Sequence, residues 1–173
     1  MTRSVLGSFA AAGAMVLLLV ACGGSHATVM ARGTTTAGAA CVPATVHTGP
    51  PPGWTAAAWS DSSPGFSVPY SLASGDAAAA FFFASRLRAG HPTNPSNKVL
   101  WVVRFPRNGN PLEITARLGL DPTEVVRTSW PADSSPGEIY PSDVDLPQPG
   151  CWRLQLAWGS HRASIDVQVH PSA

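Results

Sequence analysis

Between Cys151 and Val169 the chain carries two runs in which apolar and polar residues alternate with a period of two, the pattern of strands buried on one face. Trp152, Leu154, Leu156 and Trp158 share one side of the first run, opposite Arg153 and Gln155. Ala163, Ile165, Val167 and Val169 share a side of the second, opposite Ser164, Asp166 and Gln168. A two-residue turn at Gly159-Ser160 would pair Trp158 with His161, Leu156 with Ala163, Leu154 with Ile165 and Trp152 with Val167. Every apolar residue then falls on one face, and a slip of one position would turn the whole set to the other. A chain that ends this way must place another apolar layer opposite the hairpin.

The segments before it supply that layer. Val99 to Phe105 is apolar on both faces and reads as a central strand, and Leu112 to Leu118 alternates like the final hairpin. Glu124 to Trp130 and an irregular Glu138 to Leu146 read as two more strands, and Phe66 to Leu72, with Pro69, as an edge strand. Asn108-Gly109-Asn110, Asp121-Pro122 and Asp133 to Gly137 read as turns, and Gly90 to Pro95 as a loop. Asp76 to Ala89 admits two readings. Its alanines and an Asp76 cap suit a helix, whereas Phe81-Phe82-Phe83 suits a strand, expected over Ala80 to Leu87. Short strands at this spacing predict an all-β fold, a single immunoglobulin-like antiparallel β-sandwich over residues 41–171.

The chain opens with Arg3 and an apolar stretch ending at Ala21, the form of a cleavable signal over residues 1–21. Leu19-Val20-Ala21-Cys22, followed by Gly23-Gly24-Ser25, resembles the lipobox of bacterial lipoproteins. The resemblance implies cleavage before Cys22, acylation of its sulfur, and a position on the outer face of the cytoplasmic membrane. An ordinary secretory signal with an incidental cysteine is the alternative. Residues 22–40, made mainly of Gly, Ala, Ser and Thr, have little to bury and read as a flexible tether. His26 and Met30 within it form no preorganised metal site. Removing residues 1–21 takes away Arg3 and leaves ten basic residues against ten acidic ones. That balance offers no field for nucleic acid and no polybasic contact with lipid head groups.

With Cys22 assigned to lipid, two cysteines remain. Cys41 and Cys151 would pair as a disulfide outside the cytoplasm, the competing metal or redox reading lacking a nearby second Cys or His pattern. Leu100-Trp101-Val102, Pro111-Leu112-Glu113-Ile114, Tyr140-Pro141-Ser142 and Pro149-Gly150-Cys151-Trp152 together resemble a family of uncharacterised secreted proteins and lipoproteins common in actinobacteria. The resemblance covers roughly Phe81 to Val169 and implies an immunoglobulin-like sandwich, with no activity attached. Many members have Pro directly after the first cysteine, whereas this chain has Cys41-Val42-Pro43.

Catalytic patterns are absent from the sequence: there is no Gly-x-Ser-x-Gly, His-Glu-x-x-His, phosphate loop or Cys-x-x-Cys. Asp143 and Asp145 would share a strand face, where an acid pair or cation site competes with a solvated polar face. Ser142, His91 and Asp143 can be drawn into a triad on paper, as such sets can from most chains. His91 reads as a loop residue without an evident partner, and His161 as stacking on Trp158. Trp54, Trp59 and His91 form the candidate binding surface, although core or sheet cover is the favoured reading of the tryptophans. The expectation is a lipid-anchored, non-catalytic binding or structural domain of the cell envelope, with no metal or cofactor and with an envelope protein or glycan as partner. A small-molecule or metal carrier and an unrecognised enzyme are the alternatives.

Overall fold

The computed structural model describes residues 40–59, 68–119 and 125–172. The signal segment, Cys22, most of the tether, the Asp121-Pro122 turn and the first part of the Phe66 strand lie outside the described residues. Among the described residues there are nine strands: β1 Tyr70–Leu72, β2 Ala78–Phe82, β3 Leu87–Arg88, β4 Lys98–Val103, β5 Leu112–Leu118, β6 Val125–Trp130, β7 Ile139–Asp143, β8 Gly150–Trp158 and β9 His161–His170. They form a four-stranded sheet in the order β1-β2-β4-β7 and a five-stranded sheet in the order β3-β9-β8-β5-β6. Neighbours are antiparallel except β3, which runs parallel to β9.

This is the strand order of an immunoglobulin-like sandwich. The set β9-β8-β5-β6 reproduces the G, F, C and C′ positions, and β2-β4-β7 the A, B and E positions. No strand occupies the D position among the described residues. The final hairpin has the expected register, from Trp158 opposite His161 to Trp152 opposite Val167. Its turn holds Gly159 at φ +54°, a conformation that a side chain would strain.

Alternation then decides what each face buries. Ala78 and Ala80 of β2, and Val99, Trp101 and Val103 of β4, point between the sheets. There they meet Leu154, Leu156, Ile165 and Val167 of the hairpin. Three indoles (Trp101, Trp152 and Trp158) are almost wholly buried in this core. Each has an acceptor for its N–H, as buried tryptophans require: Ser142 Oγ at 3.0 Å, the Gln148 carbonyl at 3.0 Å and the Phe105 carbonyl at 3.3 Å.

The intervening residues of the first sheet are buried too. Ala79, Phe81, Leu100, Val102 and Ile139 form a second apolar cluster on its outer face. A 3-10 turn over Gly53–Ala58 covers them, with Trp54 and Trp59 packed against the cluster. Burial on both faces explains why β4 is apolar from Val99 to Val103. Gly137, at φ +71°, lies so close to this turn that an added Cβ would stand 2.6 Å from the Ala57 carbonyl oxygen.

The strand expected over Ala80 to Leu87 divides in two. β2 ends at Phe82, residues 83–86 bend, and β3 begins at Leu87 in the opposite sheet. A single strand of that length would run past the partners available on β4, whose pairing with β2 ends at Phe82 opposite Val99. The bend instead carries the chain to the open edge of β9. The remaining expected strands hold, although β7 stops at Asp143 and β1 covers only Tyr70–Leu72 of the proposed edge strand.

The disulfide joins Cys41 to Cys151, across a sequence separation of 110 and with Cα atoms 5.9 Å apart. The residues after Cys41 are laid along the edge of β9. The Ala44 amide donates to the Asp166 carbonyl at 2.8 Å and the Val42 amide to Asp166 Oδ2 at 2.9 Å. Further along that edge, the Ser164 amide donates to Ser74 Oγ at 2.9 Å and the Ala89 amide to the His170 carbonyl at 2.8 Å. Side chains and strap together occupy groups that an open strand edge would offer to another chain.

Candidate functional site

Most of the polar residues singled out in the sequence are engaged in holding the fold. Ser142, alternating with Asp143 along β7, faces the core: its hydroxyl accepts from Trp101 Nε1 and donates to the Val99 carbonyl at 3.1 Å. It therefore stands apart from His91, and the Ser142, His91 and Asp143 set does not assemble. His161 does lie against Trp158, with ring centroids 5.6 Å apart, and also stacks on the half-exposed Phe105 at 4.9 Å.

His91 is where the sequence expectation needs correction. It has a partner: its Nδ1 meets Asp145 Oδ2 across 54 residues of sequence. The Asp145 carboxylate is also reached by Asn97 Nδ2 at 3.2 Å. Asn97 is buried and organises this end of the sandwich. It exchanges side-chain bonds with both backbone groups of Arg88, at 2.9 and 2.7 Å, and its carbonyl accepts from the Val144 amide at 3.0 Å. Asp145 thus belongs to a loop-fixing network, while the His91 side chain remains 76% exposed.

Arg107 and Arg153 carry two further ion pairs among the described residues. Arg153 on β8 grips Asp166 on β9 with two bonds, Nε to Oδ1 at 2.8 Å and Nη2 to Oδ2 at 2.7 Å. These bonds hold the Asp166 carboxyl below its ordinary range; partial burial opposes them, while the Val42 amide and the Arg153 charge assist. Arg107 lies under the 134–139 loop and donates to Glu138 and to three backbone carbonyls. Its guanidinium stands 5.3 Å from the ring centroid of Tyr140. Burial pushes the Tyr140 phenol up to about 12, with Arg107 opposing and Glu138 adding to the shift. The Tyr140 hydroxyl donates to the Asn110 carbonyl at 2.7 Å.

Trp54 and Trp59 are half-buried. Trp59 meets Phe81 edge to face, with centroids 5.0 Å apart, so its ring serves the cover of the first sheet. Trp54 and Trp59 share that cover, while His91 sits in the loop beside β7. Among the described residues, the one cluster of three groups with metal-ligand spacing is Cys41, Cys151 and Asp166. Its two sulfurs are bonded to each other and its carboxylate is held by Arg153, so it offers no open ligand set.

A concave space opens where the strap crosses the edge of the sandwich. It has a volume of about 140 Å³ and is walled by Pro43 and Val46 of the strap, Phe82, Ala84 and Leu87 around the β2–β3 bend, and Val167 of β9. Arg86 and His170 also line it, and Asp166 reaches it already paired. No known family, curated protein or solved structure matches this chain. The candidate site therefore rests on its own geometry. Its sequence signal was slight: Ala84-Ser85 supplies small side chains at a sheet-switching bend, but nothing local marks the strap that forms the opposite wall.

Proposed function

We propose that this protein is a lipid-anchored, non-catalytic binding domain of the bacterial cell envelope, related to the secreted and lipoprotein family that its Pro-Gly-Cys-Trp segment resembles. The observation that carries the reading is the cavity of about 140 Å³ between strap and sandwich, walled largely by apolar side chains. Such a space on a rigid β scaffold suits retention of a ligand, and among the described residues no hydrogen bond joins a hydroxyl of its lining to His170. The cavity favours a small molecule over a glycan or protein at Trp54 and Trp59, whose rings are half-buried against the sheet. The lipobox-like Leu19-Val20-Ala21-Cys22 supports anchoring through Cys22.

Fractionation of cells producing the full chain tests the anchoring. Wild type should sediment with membranes and carry a lipid adduct by intact mass, and Cys22→Ala should lose both. A variant that remains wholly membrane-bound refutes the anchor. A turnover by wild type that His91→Ala/Asp145→Ala abolishes without unfolding refutes the non-catalytic part.

A further inference from the structure

The cavity under the strap has a chemical bias beyond its shape. An apolar cavity of roughly 150 Å³ accommodates a six-carbon ring, so the space of about 140 Å³ here is matched to a compact apolar body of that size. Its charges are unequal. The Asp166 carboxylate is neutralised by two bonds from Arg153 and a third from the Val42 amide. Arg86 is exposed, and no carboxylate among the described residues forms an ion pair with it. His170, half-buried in the same lining, adds an imidazole. A ligand entering here finds apolar walls and one uncompensated cation.

We propose that the cavity binds a small amphipathic anion, a carboxylate joined to a compact apolar group of about six carbons, with the apolar group among Phe82, Ala84, Leu87 and Val167 and the carboxylate on Arg86. The planar guanidinium is suited to a carboxylate, to which it can donate two parallel bonds. The proposal deepens the binding function given above by naming its ligand class. It also assigns the disulfide a local task. Pro43 and Val46 stand two and five residues after Cys41, so the Cys41–Cys151 bond fixes one wall of the site.

Benzoate is the probe, with benzyl alcohol as its neutral counterpart and acetate as the anion without a body. Binding to the purified full chain is read by saturation-transfer NMR and by displacement titration. Benzoate should bind at least tenfold more tightly than either control. Arg86→Gln, at an exposed position, should weaken benzoate at least tenfold and change benzyl alcohol less than twofold. Ala84→Phe should abolish binding by filling the cavity. Because that variant could instead fail to fold, Val46→Asp at an exposed wall position serves independently and should weaken benzoate at least fivefold by repulsion. Benzyl alcohol binding as tightly as benzoate, or an unchanged benzoate affinity in Arg86→Gln, overturns the proposal. So does a wild type that binds none of the three probes. Membrane fractionation is read without benzoate, so correct anchoring with a failed titration would overturn this ligand class and leave the anchor standing.

Discussion

Arg107→Ala should be among the most damaging single substitutions outside the apolar core. The side chain is only 12% exposed and its guanidinium spans four acceptors. Nε donates to Glu138 Oε2 at 3.1 Å, Nη1 to the Ile139 carbonyl at 2.5 Å, and Nη2 to the carbonyls of Ser134 and Gly137 at 3.0 and 2.9 Å. Net hydrogen bonds to a charged donor contribute about 1.5–3 kcal/mol each in buried settings, but these are not additive and water can refill part of the space. Glu138, 42% exposed, recovers solvation when its partner leaves, so that pair is discounted heavily. The three carbonyls dominate, and the expected loss is about 3–4 kcal/mol, or a fall in Tm of roughly 10–15 °C for a domain of this size. Arg107→Lys keeps the charge but loses the fork that reaches several carbonyls at once, so it should recover less than half of the loss. Urea denaturation of the two variants measures this. Hydrogen exchange provides a local check, because the Val103 amide donates to the Glu138 carbonyl at 2.9 Å and should lose protection first. A loss below about 1 kcal/mol, or equal losses in the Ala and Lys variants, would refute the assignment of Arg107 as the clamp of this loop.

The disulfide and the Arg153–Asp166 pair give two further expectations. Reducing Cys41–Cys151, or replacing both with Ser, should cost up to about 4–5 kcal/mol, the chain-entropy limit for a loop of this length, with the Val42 and Ala44 amides becoming exchangeable. Denaturation midpoints that coincide with and without reductant would contradict this. Asp166 is depressed in the fold, so its contribution is present above the unfolded carboxyl value near 3.9 and is lost as pH falls through the lower folded value. Wild type should therefore converge on Asp166→Asn in stability as the solution is acidified below about pH 4, and parallel stability curves from pH 6 to 2 would count against it.

The parts of the fold that could be read from sequence are those where one repeating chemical pattern settles the answer. In β8 and β9, alternation fixed both the face and the register, because any slip would expose a row of Trp, Leu, Ile and Val. β4 was legible because a strand covered on both sides needs apolar residues at every position. The Phe81 segment was legible as strand but not in its extent, since its end depends on where β4 runs out of partners. The site was much less visible. His91 and Asp145 meet across 54 residues, and only the path of the intervening loops brings them together. Asn97 resembles any polar loop residue until Arg88, Asp145 and Val144 close around it. The cavity depends on a strap with no periodicity of its own, held by one remote disulfide, by two amide bonds to Asp166 of β9 and by the His47–Tyr70 backbone pair with β1.

The position of the bridge also determines how the domain bears mechanical force. A pull applied at Ala40 reaches Cys41 and passes through one covalent link into Cys151, the second residue of β8. β8 is hydrogen-bonded on both sides, to β5 and to β9, over most of its length. Tension therefore enters the most heavily paired strand first and is spread across two ladders. The 3-10 turn, β1 and β2 lie on the covalent detour between the two cysteines and are shielded from the direct line of force. With the bridge reduced, the same pull would load the Val42 and Ala44 bonds to Asp166 and then the His47–Tyr70 pair, opening the cavity wall before the sandwich itself began to yield.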